Sequence, residues 1–374
     1  MAETIFKEKE EVTKLLAHAD IILNGTRPWD IQVHDDHFYS QILYYQNLGL
    51  GESYMDGLWD CESIDQMIAR LINANIPKYV KTNKRLIFKY LMHKIFNYQT
   101  KRLAKVVARK HYDLGNKLFQ AMLDKEMIYS CGYWDNATTL DQAQLNKMDL
   151  ICKKLKLTPG MKLLDIGCGW GGLAKFAAKN YGVEVVGITI SKEQKKLAEE
   201  RCQGLPVKIM LQDYRDLTGE YDRIVSVGMF EHVGYKNYRT YMTVASRCLK
   251  EEGIFLLHTI GSRKTSYDGD PWMNKYIFPY GMLPSISQIH SAIDDLFVME
   301  DWHNFGADYD KTLMAWHHNF NMHCPELKHE YDERFHRMWN YFLLSCAGAF
   351  RSRKMQLWQI IFSRGIPGGY KFRY

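Results

Sequence analysis

The chain has 374 residues, 46% of them hydrophobic, which is enough to bury a sizeable core in two or three domains. A disordered tail and a small disulfide-stapled module are excluded. The formal net charge is only +6, yet eleven Lys and Arg fall between Lys78 and Lys110 with no acidic residue among them, so the rest of the chain is net −5. A field of that kind attracts polyanions, and nucleic acid, an anionic membrane face and an acidic protein all fit it.

In chain order, residues 1–11 are rich in Glu and Lys and carry no apolar run, so no secretory signal is expected. Residues 1–77 read as a smaller, mainly helical N-terminal domain, punctuated at Leu48-Gly49-Leu50-Gly51 and at Gly57. The basic stretch 78–111 follows as a linker, with Ile87, Leu91, Ile95, Leu103, Val106 and Val107 at roughly helical spacing. Residues 112–374 form the third unit. From Met161 short apolar strands, at 162–166, 183–190, 207–211, 223–227, 254–258, 297–301 and 357–362, alternate at first with helices at 172–180, 191–203 and 230–249. Ser191 and Gln194 are placed for a capping box on the second helix. Such alternation calls for an α/β fold, a Rossmann-like and mostly parallel seven-stranded sheet with its ligand at the strand C-termini. After His258 about 35 residues rich in aromatics and Pro break the pattern, as an insertion that builds a substrate pocket would.

Eight cysteines are scattered without a C-x-x-C pair, which reads as reduced thiols in a cytoplasmic protein. No run reaches membrane-spanning length; the longest near-apolar window, 338–350, is interrupted by Asn340 and Ser345. His317, His318, His323, His329 and His336 lack metal-binding spacing, so no metal is expected and a solvated helical face is the simpler reading.

Leu163-Leu164-Asp165-Ile166-Gly167-Cys168-Gly169-Trp170-Gly171-Gly172 closes the first strand and opens a helix. Gly167, Gly169 and Gly172 satisfy the dinucleotide pattern, but Asp165 would repel a pyrophosphate, and Thr189 ends the second strand where a dinucleotide ribose needs an acid. The D-x-G-x-G form suits S-adenosylmethionine: glycines admit the cofactor to the backbone and the acid pairs with its α-ammonium. Gln212, Asp213 and Tyr214 follow the third strand, where adenine would lie and Tyr214 can cover its face. Gln194 can reach the ribose, although a helix cap and a core-edge tyrosine explain Gln194 and Tyr214 as well.

At the fourth strand end the chain reads Val227-Gly228-Met229-Phe230-Glu231-His232-Val233-Gly234, without the Asn/Asp-Pro-Pro-aromatic tetrad of base N-methylation. This stretch, the glycine loop, Tyr129-Ser130-Cys131, and segments 255–261, 301–309, 49–57 and 346–350 together resemble the bacterial cyclopropane-fatty-acyl-phospholipid synthases over nearly the whole chain. The resemblance implies an S-adenosylmethionine-dependent methyltransferase that methylates a cis double bond of an unsaturated phospholipid acyl chain. A base then takes a proton from the new methyl of the carbocation as the ring closes.

That base is implied to be a bound bicarbonate, whose holders match Cys131, Glu231, His258, Ile260 through its backbone, and Tyr309. Tyr129 and Ser130 join the cofactor set. His258 and Tyr309 can donate to the anion, Glu231 can orient His258 or receive the proton, and burial should raise the Glu231 pKa. Cys346 reads as packing. The resemblance implies a homodimer, and a substrate held in a bilayer makes the basic stretch 78–110 the expected docking surface for the inner face of the cell membrane, with anionic lipids favoured and no nucleic acid expected. Two rivals stay open: a related enzyme that leaves a methyl branch or methylates a small amphiphile, and an RNA-binding protein or RNA methyltransferase using the basic stretch. If the basic stretch is only a solvated face, window 338–350 is the alternative membrane contact.

Overall fold

A computed structural model describes residues 2–78, 100, 115–327 and 329–372. The basic stretch, expected to be an amphipathic linker, therefore lies almost wholly outside the described residues.

The chain opens with helices α1 (Ala2–Ala17), α2 (His37–Met55) and α3 (Ile64–Asn73), and with a short antiparallel pair, β1 (Gln32–Val33) and β2 (Trp59–Asp60). Among the described residues, α4 (Asn116–Met122) and α5 (Leu140–Lys154) then precede the main sheet. Its strands and helices follow as β3 (Lys162–Ile166), α6 (Gly172–Tyr181), β4 (Glu184–Thr189), α7 (Lys192–Arg201), β5 (Val207–Leu211), β6 (Tyr221–Val227), α8 (Tyr238–Cys248) and β7 (Leu249–Ser262). The chain closes with α9 (Pro271–Tyr276), α10 (Ile286–Ile293), β8 (Val298–Asn304), α11 (Asp308–Leu327), α12 (Glu333–Arg351) and β9 (Met355–Ser363).

The sheet has seven strands in the order β5-β4-β3-β6-β7-β9-β8. Strands β5 to β7 are parallel, and β9 runs antiparallel to both β7 and β8. After β3 the chain winds outward to β5, then returns to β6 on the other side. This reversal opens a crevice at the carboxyl ends of β3 and β6, where open α/β sheets bind ligands.

Local chemistry explains two departures from the sequence reading. The stretch 230–249 is not one helix: Gly234, at φ 75°, interrupts it, and two short 3-10 turns precede α8. At α7 the forward half of the capping box forms, Gln194 N donating to Ser191 Oγ at 3.3 Å. The reverse half does not, because the Gln194 Oε1 accepts instead from the Thr189 hydroxyl at 2.8 Å.

Helix α12 overturns two further expectations. Its apolar window, proposed as an alternative membrane contact, is core: Trp339, Phe342, Leu343, Ala347 and Phe350 are buried. Gly348 lets α12 approach α3 so closely that a Cβ there would lie 2.3 Å from the Asp65 carbonyl. His336, read as part of a solvated face, is 5% exposed and packs on Phe320. Burying one apolar face of a 19-residue helix is worth far more than exposing it.

The insertion after β7 reaches the N-terminal helices. Trp272 of α9 is buried against Gly51 of α2, where a Cβ would come within 2.4 Å of the indole. Tyr276 donates to Glu52 at 2.7 Å, and Asn47 bonds Asp270. The segment then turns back to place Pro279 and Tyr280 at the crevice. No helix of the described residues is long and apolar enough to cross a membrane.

Candidate active site

One cavity occupies the crevice, and all ten residues expected to hold the cofactor line it: Tyr129, Ser130, Asp165, Gly167, Gly169, Thr189, Gln194, Gln212, Asp213 and Tyr214. The glycine loop makes its floor. Gly167 and Gly169 take φ of 90° and 54°, and a Cβ on Gly167 would sit 2.9 Å from Met229 Cβ. Bare backbone is what lets a ligand approach here.

Asp165 is 2% exposed, and its Oδ2 has no hydrogen-bond partner among the described residues. Burial pushes its carboxyl up to about 7. A buried acid held in this way fits the α-ammonium of S-adenosylmethionine, which would satisfy the oxygen and draw the proton off. Tyr214 is also buried, leaning on Tyr241 with ring centroids 5.1 Å apart, and its hydroxyl has no partner among the described residues. Asp213 is held at both oxygens by Arg215, at 2.7 Å each. Arg215, next in the segment expected beside adenine, lines the cavity too. The Gln212 amide donates to the Asp216 carbonyl at 2.7 Å.

Helix α5 also contributes to the cavity through Lys147, Met148 and Ile151. Gln144, fully buried, donates to the Ser130 carbonyl at 2.8 Å, and Lys147 donates to the Ser130 hydroxyl at 2.6 Å. Neither residue was anticipated. Their signal was present, since both are long polar residues on the face that carries Leu140, Ala143, Met148 and Ile151 into the core.

None of the five expected reaction-side residues lines this cavity; they form a second cluster beside it. Glu231 follows β6, and its Oε1 accepts the Ile260 N–H at 2.7 Å. Its Oε2 is buried without a hydrogen-bond partner among the described residues, and burial raises the carboxyl to about 7. The expectation that Glu231 orients His258 is not met, and Ile260 N–H is already engaged by Glu231. His258 is oriented instead by Gln359, its register partner on β9, with Gln359 Nε2 3.3 Å from His258 Nδ1. An amide N–H donating there leaves the imidazole proton on Nε2, which is buried and has no other partner among the described residues. Burial, with Lys147, Lys154 and His303 nearby, holds His258 well below its usual pKa, so it stays neutral.

Cys131 and Tyr309 complete the cluster. Both pack with Ile260 around Phe305 and Leu357. Burial, reinforced by Cys131 and Glu231, pushes the Tyr309 phenol up, and burial keeps the Cys131 thiol protonated. Rings continue from here to the cofactor loop: Phe350 stacks on Tyr309 at 4.3 Å, Trp316 meets Tyr309 and Tyr129, and Phe119 joins Tyr129 to Trp170. Such faces stabilise a cation in an otherwise apolar space. Cys346 is half-buried in the main core, as a packing residue would be.

Comparison with known proteins shows the family. Residues 99–360 match the family model described as mycolic acid cyclopropane synthetase. The chain is 55% identical over 358 residues to the cyclopropane-fatty-acyl-phospholipid synthase of Escherichia coli K12, covering 96% of this chain and 94% of that one. It is 33% identical over 282 residues to sphingolipid C9-methyltransferase A of Emericella nidulans, covering 70% of this chain and 54% of the relative. Among solved structures it resembles mycolic acid cyclopropane synthase CmaA1 complexed with SAH and CTAB, with a TM-score of 0.64, 32% identity, and 69% and 97% of the two chains covered. The chain belongs to the mycolic acid cyclopropane synthetase family and is an S-adenosylmethionine-dependent methyltransferase.

Proposed function

We propose that the protein adds the methyl carbon of S-adenosylmethionine to a cis double bond of an unsaturated phospholipid acyl chain and closes it into a cyclopropane. The observation that carries this reading is the second cluster: buried, partner-poor Glu231 and His258 with un-ionised Tyr309 and Cys131, next to the glycine loop and walled by aromatic rings. The relatives named for cyclopropane synthesis support it.

S-adenosylmethionine supplies an electrophilic methyl when bound, and a bicarbonate would supply a base beside it. Asp165 would hold the ammonium of the methyl donor, Gly167 and Gly169 would admit its chain, and Tyr214 would cover its adenine. The anion would lie among Cys131, Glu231, His258 and Tyr309, with Ile260 acting through Glu231. His258 Nε2–H and the Tyr309 hydroxyl donate there because neither ionises. Glu231, poised near neutrality, donates when protonated and accepts when not. The rings of Tyr309, Trp316 and Phe350 screen the cationic carbon from water.

The double bond is presented at a bilayer. We infer docking on anionic lipid through the basic stretch 78–110, at roughly 1 kcal/mol per basic residue near the surface, so added salt weakens it. The protein works as a homodimer at the inner face of the membrane. A relative named as a sphingolipid C9-methyltransferase favours a second reading, in which a methyl branch is left.

Labelled S-adenosylmethionine offered with unsaturated phospholipid vesicles or with RNA separates these. Mass spectrometry of the acyl chains should show gain of one CH₂ and loss of the olefin. Gain with the olefin retained supports branching, and label in RNA alone overturns a lipid substrate.

A further inference from the structure

The cofactor cavity presents two buried groups of opposite charge type, and only one has a role so far. Asp165 suits the α-ammonium of the methyl donor. Lys147, on α5, is 1% exposed and lines the same cavity. Its three N–H donors find one hydrogen-bond partner among the described residues, the Ser130 hydroxyl at 2.6 Å, and no carboxylate among them forms an ion pair with it. The Asp124 carboxylate acts on its charge, but both Asp124 oxygens already accept backbone N–H groups, Ile128 and Glu126, at 2.9 Å. A lysine is rarely buried so incompletely satisfied unless a ligand completes it.

The amino-acid end of S-adenosylmethionine is a zwitterion, with an ammonium and a carboxylate on one carbon. We propose that Lys147 is a positioning residue for that carboxylate: it holds the Ser130 hydroxyl toward the cavity and supplies the positive charge complementary to Asp165. The inference rests on the cofactor half of the reading above and is independent of what accepts the methyl. Burial also brings Lys147 down to about 7, so its charge is available to be fixed by an arriving anion. The other titratable groups that face it are Asp124 and Cys131, and it acts in turn on His258 of β7.

Two ligands test it. S-adenosylhomocysteine carries the zwitterion, and 5′-methylthioadenosine has the same nucleoside without it. By calorimetry, Lys147→Met should weaken the first roughly tenfold to hundredfold and leave the second within about twofold. Lys147→Gln, which keeps a donor for Ser130 without charge, should fall between. Equal weakening of both ligands, or none, would overturn the proposal. Should the variants not fold, the wild type decides by proton linkage measured in buffers of different ionisation enthalpy. Binding of S-adenosylhomocysteine should take up a proton near pH 8, where Lys147 is mostly neutral, and release one near pH 6, where Asp165 is mostly protonated. No uptake near pH 8 overturns the proposal. Wild type that binds S-adenosylhomocysteine this way but methylates no lipid would sink the lipid reading and leave Lys147 standing.

Discussion

The cofactor crevice and the reaction-side cluster lie side by side but are built by different means. The crevice floor is one contiguous stretch, strand β3 running through Asp165 into a glycine turn and helix α6, so its geometry is fixed by the backbone of about ten neighbouring residues. The cluster draws Cys131, Glu231, His258, Ile260 and Tyr309 from four separate segments, joined by the pairing of β7 with β9 and the packing of α11. A site of the first kind should tolerate loss of a single side chain better than one of the second kind.

The sharpest break between the two regions is Glu231→Gln. It should leave S-adenosylhomocysteine affinity nearly unchanged and lower kcat roughly 10²- to 10⁴-fold, because amide for carboxyl removes the group that can change protonation near neutrality. Unchanged turnover would remove Glu231 from the cluster's chemistry. On the crevice side, Asp165→Asn should weaken S-adenosylhomocysteine about tenfold to hundredfold by calorimetry and lower kcat at saturating cofactor far less. A smaller effect, roughly tenfold on kcat with cofactor affinity intact, is expected for Gln359→Leu, which frees the imidazole to place its proton on either nitrogen.

Asp165 also carries a pH signature. Burial lifts it from the ordinary 3.8 to about 7, so the stability tied to its protonated form is complete below 3.8 and is lost as pH rises through 7. Asp165→Asn has no such loss. In denaturant titrations without cofactor, the variant should gain on wild type by a few kcal/mol, on the order of the linked pKa shift, between about pH 4 and pH 8. A constant difference across that range would mean that Asp165 is not held as an acid.

The contrast also explains what could be read from sequence. Leu163 to Gly172 carries its conformation in its own residue types, and β3, β5 and the start of α6 fall where periodicity places them. Residues 230–249 were misread because one glycine, Gly234, outweighs helical spacing that continues on both sides. The residues that tie the site together are hard to assign from sequence for a different reason. Gln359 meets His258 only through strand register, and Lys147 meets Ser130 only through the docking of α5, so neither carries a local signal beyond being polar on a buried face. Helix α12 shows the converse, since an apolar window looks the same whether its partner is a bilayer or α3.

The central claim is that a base in this cluster takes a proton from the methyl carbon after it is transferred. Offer the enzyme a methyl donor labelled with three deuterons, with unsaturated phospholipid vesicles, and count deuterium in the modified acyl chains. Two deuterons retained in a product that has lost its double bond is the predicted result; three retained, as an intact methyl branch, would contradict it.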